Sequence, residues 1–260
     1  MPDLTTETAS ANTLALVARS PEIVARGDKE GWIDLFDAEA FVEDPVGAGT
    51  HRGHDALRKF WDVFIAPQEA IVFRPKRDFV AGDHVLRYVR IATTTPVSED
   101  VPFEIPAIIE YRLRDSKIVS LRAFWQANLA VTWHLGQGVR GAWSLTKHGA
   151  RTFATLGLAA TLGFGNAMRP TVSERDARRV AGLLACGTAE EWRSEAGRAD
   201  VLIDGRSANA EELAGGSLVL EELIRAGDSV ACVLGLGDEA ICAIVTMPHG
   251  RVSRVDLLRS

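Results

Sequence analysis

The chain has 260 residues, a formal net charge of −6 and an apolar fraction of 47%. That length and apolar content suit two modest globular domains. The acidic balance excludes a general nucleic-acid binder, which needs a concentrated basic surface. Three cysteines, Cys186, Cys232 and Cys242, sit widely spaced in the last third. Neither a disulfide framework nor a zinc site is expected from them, and reduced thiols are the simplest reading. No metal or cofactor is expected; the "GLG" at 235–237 lacks the strand–helix setting of a dinucleotide loop.

The opening run "MPDLTTETASANT" has neither a basic region nor an apolar core, so no secretion signal is expected and the location is read as cytoplasmic. "NTLALVARSPEIVAR" then reads as helical, with Ser20 before Pro21 looking like an N-cap followed by proline at the first helical position. Asp28 is placed to cap a second helix, "KEGWIDLF". A short strand, "AFVED" (40–44), runs into a Pro-Val-Gly turn, and "HDALRKFWDVF" has an apolar face at helical spacing. Four strand-like runs follow: "AIVFRPKRDFVAG", "HVLRYVRIATT", "PFEIPAIIEYRL" and "KIVSLRAFWQANLAV". Helices first and antiparallel strands afterwards predict an α+β cone, a curved sheet closed on one side by helices around an apolar-lined pocket.

Residues 152–168, "TFATLGLAATLGFGNAM", carry no charge but are too short and too diluted by glycine and threonine to span a bilayer. They are expected to form a helix packed between domains or across a dimer. Arg140, Lys147, His148 and Arg151 precede them, which leaves membrane-surface contact through 140–169 as the alternative.

An internal repeat organises the whole chain. "AGDHV" (81–85) answers to "AGDSV" (226–230), and "KIVSLRA" (117–123) to "GRVSRVD" (250–256). "ARGDKEGWIDLFDAEAFVEDP" (25–45) aligns without a gap on "ACGTAEEWRSEAGRADVLIDG" (185–205), pairing Trp32 with Trp192 and Asp44 with Asp204. The expected organisation is therefore a pocket-bearing unit at 11–135, a helical linker at 136–172 and a shortened copy at 173–260. Of 18 aromatic residues only Trp192 falls in the second copy. A structural or dimer-forming role is expected there, with Asp204, next to Gly205, as a turn residue.

The candidate chemistry lies at "VEDPVG" (42–47). Strand alternation sends Glu43 and Asp44 to opposite faces, so one carboxylate faces inward. Glu43 is read as the solvated one. Together with "ARGD" (25–28), "LF" (35–36), "GHDALRKFW" (53–61) and "VSLRAFW" (119–125), this motif makes residues 25–127 resemble the ketosteroid isomerase branch of the nuclear transport factor 2-like superfamily, which also holds SnoaL-like polyketide cyclases. The resemblance implies that Asp44 is a general base moving a proton on a hydrophobic ketone, most simply a steroid Δ5-3-ketone. It also places Trp125 against the ligand, and Trp61, Phe36 and Phe103 would complete an apolar wall.

Two features depart from the isomerase pattern. Ser20 stands where the family places a ketone-polarising tyrosine, and Ile108 or Ile109 where it places a protonated aspartic acid. Replacement donors are sought among Tyr88, Tyr111, His84 and the indole N–H groups of Trp61 and Trp125; both tyrosines also read as ordinary core aromatics. The expected partner is a hydrophobic small molecule, a steroid or polycyclic ketone, in a homodimeric protein. Two other readings stay open. One is a carrier of steroid- or lipid-like ligands without turnover. The other is an epoxide hydrolase or cyclase of polyketide type, for which Glu69 is the nearest second acid.

Overall fold

The computed structural model describes residues 4–68, 70–94, 103–214, 216–237 and 239–260. Glu69, the partner acid of the epoxide reading, lies outside the described residues. The front half opens with α1 (Leu4–Ala25) and α2 (Lys29–Ile33), followed by β1 (Phe36–Glu43), β2 (His51–Arg52) and α3 (His54–Phe60). A π-helical turn (Trp61–Ile65) extends α3. Four long strands come next: β3 (Ala70–Ala81), β4 (His84–Thr94), β5 (Phe103–Arg114) and β6 (Lys117–Phe124). Asp28 caps α2, its Oδ1 accepting the Gly31 N–H at 2.9 Å. α1 continues straight through Ser20 and Pro21, so Ser20 is not an N-cap. Its hydroxyl is held instead by a tertiary partner, the Trp32 indole N–H at 3.0 Å.

Two helices, α4 (Ala127–Gly136) and α5 (Gly138–Ala167), separate the halves. The strand expected over "KIVSLRAFWQANLAV" ends at Phe124, and its tail winds into α4. There Trp133 packs on Phe103 with ring centroids 5.3 Å apart. The back half comprises α6 (Glu174–Cys186), α7 (Ala189–Ala196), β7 (Asp200–Ile203), β8 (Arg206–Ala208), β9 (Val219–Ala226), β10 (Ser229–Leu236), β11 (Glu239–Thr246) and β12 (Arg254–Arg259).

The two sheets have one topology. The first runs β2-β1-β6-β5-β4-β3 and the second β8-β7-β12-β11-β10-β9. Each has a single parallel pair at the same place, β1 with β6 and β7 with β12, and every other pairing is antiparallel. The fold is therefore a tandem α+β pair of open six-stranded cones. Asp204 and Gly205, at φ 50° and 78°, make the two-residue hairpin turn between β7 and β8. Asp204 Oδ1 accepts the backbone N–H of Arg259 at 2.9 Å. Trp192 is fully buried in the core of the second copy, its indole N–H donated to the Leu183 carbonyl at 3.2 Å.

The sheets pack against each other. Phe79, Leu86, Tyr88, Ile108 and Phe124 of the first meet Ile224, Ala231, Val233, Cys242 and Ile244 of the second. At one corner, Gly47 and Gly227 bring two turns so close that a Cβ on Gly47 would stand 2.8 Å from the Gly227 Cα. Polar groups are buried at this junction too. Glu110 lies 3.1 Å from Arg112 Nε, 3.3 Å from Arg122 Nη1 and 3.0 Å from His84 Nε2, and Arg112 reaches Asp256 of the second sheet at 3.0 Å. Glu43 belongs to the same junction: Oε2 accepts from Arg122 at 3.1 Å and Oε1 from the Gly47 N–H at 3.0 Å. It is thus not the solvated acid expected, because the face opposite Asp44 is covered by the second sheet.

Burial alone would raise the Glu110 pKa, but the adjoining His84 imidazole, with Arg112 and Arg122, outweighs it and holds the group at about 2. A depressed carboxylate stabilises the fold above its unfolded pKa near 4.5 and loses that contribution as pH falls toward 2. Glu110→Gln should therefore lower unfolding free energy by about 3 kcal/mol at pH 7. In urea titrations the gap to wild type should close between pH 4.5 and 2.

Candidate active site

On the other face of the first sheet lies a cavity of about 480 Å³, in the range of small-molecule sites. Its floor comes from the ends of β1 and β6. These strands run parallel with Glu43 opposite Arg122, so Asp44 and Trp125 leave the sheet side by side. The Trp125 indole N–H donates to Asp44 Oδ1 at 2.5 Å. Among the described residues that line the cavity, Asp44 is the one acid. Burial lifts its carboxyl from an ordinary value to about 6, with the Trp125 hydrogen bond pulling the other way. A buried carboxylate with one donor is thus a stronger base than free aspartate while remaining ionised at neutral pH.

Side-chain parity on the strands decides which of the expected residues reach the cavity. β4 and β5 pair without a bulge from His84–Arg112 to Thr93–Phe103, so alternation is preserved across Pro106. Phe103, Ile109 and Tyr111 consequently line the cavity beside Trp125, while Ile108 and Glu110 turn to the second sheet. Tyr88 lies opposite Ile108 and shares its face; it is not in the cavity, and its hydroxyl donates to Glu222 Oε2 of the second sheet at 3.0 Å. Phe36 and Trp61 are buried but do not line the cavity either. Both back Trp32, with ring centroids 4.5 and 5.6 Å from it, and Trp32 itself presents to the interior.

Ser20 and Trp32 form a polar relay that the sequence did not disclose. Trp32 donates to the Ser20 hydroxyl, and Ser20 and Tyr111 both line the cavity, with Ser20 pulling the Tyr111 phenol pKa down. Burial pushes the Tyr111 phenol above its ordinary pKa, more than Arg87 and Ser20 pull it back, and the nearby charge of Asp44 adds to the rise. The phenol therefore stays protonated at neutral pH. The only sequence signal was the conjunction of a small hydroxyl residue at the family's tyrosine position with a tyrosine two residues beyond Ile109.

The mouth is framed by α4, whose residues were expected to continue a strand of the pocket-bearing unit, and by α5, which falls in the expected linker. Val131 and His134 of α4, and Leu145, His148 and Phe164 of α5, line it. The His148 ring sits 5.4 Å from Phe64 and 6.1 Å from Phe164, and burial, with Arg151 and His134 nearby, lowers its pKa. Lys147 and Arg151 stand at the rim.

An acid with a raised folded pKa destabilises the fold once ionised, so stability falls as pH rises from about 4 to about 6. Asp44→Asn removes that cost. Its unfolding free energy should exceed wild type by up to about 3 kcal/mol at pH 7.5 and match it near pH 3.5, as read by urea denaturation.

Residues 17–121 match the family model of the SnoaL-like domain. A steroid Delta-isomerase of Nocardioides simplex is 32% identical over 116 residues, spanning 45% of this chain and 91% of that protein. Among solved structures, a Δ5-3-ketosteroid isomerase from Mycobacterium sp. is 26% identical, covering 44% of this chain and 92% of its own, with a TM-score of 0.38. SalBIII, an epoxide hydrolase/cyclase-like enzyme of pyran ring formation in the polyether salinomycin, is 24% identical over 44% of this chain and 89% of its own, with a TM-score of 0.39. With the floor acid, the two-faced sheet and a relative matched over nearly its full length, the chain belongs to the SnoaL-like, steroid-isomerase-related family.

Proposed function

We propose that the protein catalyses intramolecular proton transfer on a hydrophobic ketone, and that a Δ5-3-ketosteroid is its substrate type. The observation that carries this reading is Asp44, the one acid among the described residues that line an apolar cavity of about 480 Å³, tuned to about 6. The steroid Delta-isomerase relative supports it. Ionised Asp44 takes a proton from the carbon between the ketone and the β,γ double bond. Electrons shift onto the ketone oxygen to give a dienolate. Asp44 then returns the proton to the far carbon of the former double bond, leaving the conjugated enone.

The developing oxyanion needs a donor, and Tyr111, oriented by Ser20 and Trp32, supplies it in place of the family's own pair. Trp125 fixes the Asp44 carboxylate, and Phe103 and Ile109 contact the ring system. The second copy has a structural role: it covers the back of the first sheet and fixes the strands that carry Ile109, Tyr111 and Trp125. Ligand carriage without turnover is the competing reading, favoured by the apolar Ile109 where related isomerases hold a second donor.

Conjugation of 5-androstene-3,17-dione, followed by ultraviolet absorption, separates the two. Wild type should turn over with kcat/KM rising through pH 6 to a plateau, since only ionised Asp44 accepts a proton. Asp44→Asn should abolish turnover while retaining steroid binding, and Tyr111→Phe should lower kcat by about 10²–10³. Saturable binding with no turnover above background would establish the carrier instead.

A further inference from the structure

We propose that the outer face of α4 and α5 docks the protein onto an anionic membrane surface, with the cavity mouth turned toward the bilayer. The stretch 152–168 was expected to pack between domains or across a dimer; in the single chain Thr152, Phe164 and Ala167 face inward, and another face is left exposed. Val139, Trp143, Phe153, Leu158 and Leu162 of α5 are 87%, 61%, 56%, 60% and 58% exposed, and Leu135 of α4 is exposed beside them. Solvent-facing aromatic and aliphatic side chains repeated along one helix form a patch that a water-exposed surface rarely keeps. Gly157, at φ 83° and ψ −177°, kinks α5 midway, with Val139, Trp143 and Phe153 exposed before it and Leu158 and Leu162 after it.

Charge identifies the occupant. No Asp or Glu occurs from residue 116 to residue 173 in a chain whose net charge is −6, and α5 carries Arg140, Lys147 and Arg151. Lys147 Nζ lies 5.6 Å from the centre of the Trp143 ring, pairing a cation with an interfacial aromatic. Apolar side chains bordered by cations, without acids, are the pattern of a helix lying in the interface of an acidic bilayer. Among the described residues no helix is long and apolar enough to cross a membrane, so the contact is superficial. A second copy is the poorer occupant, because a two-fold contact through α5 brings each cation set against its own image.

The inner faces of these same helices line the cavity mouth through Val131, Leu145 and Phe164. Docking therefore sets an apolar cavity against the phase into which an apolar ligand partitions. The docking itself is independent of the isomerase reading, and its test uses no catalytic readout.

The full chain is co-sedimented with vesicles of phosphatidylcholine alone and of phosphatidylcholine mixed with phosphatidylglycerol. Partition onto the anionic vesicles should be about 10–100-fold stronger and should fall as salt is raised. The doubly substituted Trp143→Ser/Phe153→Ser chain should lose about 10-fold of that partition with an unchanged thermal melt, since both side chains are exposed and neither lines the cavity. Failure of wild type to sediment with either vesicle, or equal partition onto both, overturns the proposal. So does a dimer in light scattering that the double substitution disperses while vesicle binding is absent.

Discussion

A carboxylate carried into an apolar cavity, with one indole N–H for company, is the constraint around which the front half is organised. Water would have supplied several hydrogen bonds to Asp44; the protein supplies the Trp125 donor at 2.5 Å and buries the group at the floor of a largely apolar cavity. That imbalance raises the affinity of Asp44 for a proton and makes its ionised form costly. The cost is sustained only because the strand ends that deliver the two side chains are fixed by parallel pairing of β1 with β6. A fraying strand end would let solvent in and return the acid to ordinary behaviour.

The second copy follows from the same requirement. β4, β5 and β6 carry large apolar groups on both faces, which a one-layer sheet cannot shield. Ile108, Phe124 and Tyr88 need a cover as much as Ile109 and Tyr111 need a cavity. The duplicated sheet provides that cover, and the carboxylates on the shared face, Glu43, Glu110 and Asp256, are met there by Arg112, Arg122 and Arg254. Two faces of one sheet thus shift their acids in opposite directions: neighbouring cations hold the Glu110 pKa down, whereas burial raises that of Asp44.

Much of this was legible in the amino-acid order. The paired "AGD" turns, both with a positive-φ glycine, and the ungapped alignment of 25–45 on 185–205 pointed to two copies of one topology. Period-2 reasoning placed Phe124 and Trp125 on opposite faces and Asp44 inward. It failed for Tyr88, because alternation within a strand leaves open which parity faces the cavity until pairing fixes it; Val85 and Val89 take that face. Ser20 misled for a local reason, since Ser-Pro resembles a helix start while the helix in fact passes through it. Trp32 entered only as the residue paired with Trp192 in the repeat, and its bond to Ser20 is a tertiary contact that no spacing encodes. The exposure of α5 was equally hidden, as an apolar helix reads the same whether its partner is protein, lipid or water.

The state of the floor acid is open to direct observation. In protein labelled with carbon-13 at aspartate carboxyls, the Asp44 resonance, assigned by its loss in Asp44→Asn, should titrate with a midpoint near 6. A midpoint below 4, the behaviour of a carboxylate in free contact with water, would contradict an acid shut inside an apolar chamber, and with it the proton-transfer chemistry assigned to the protein.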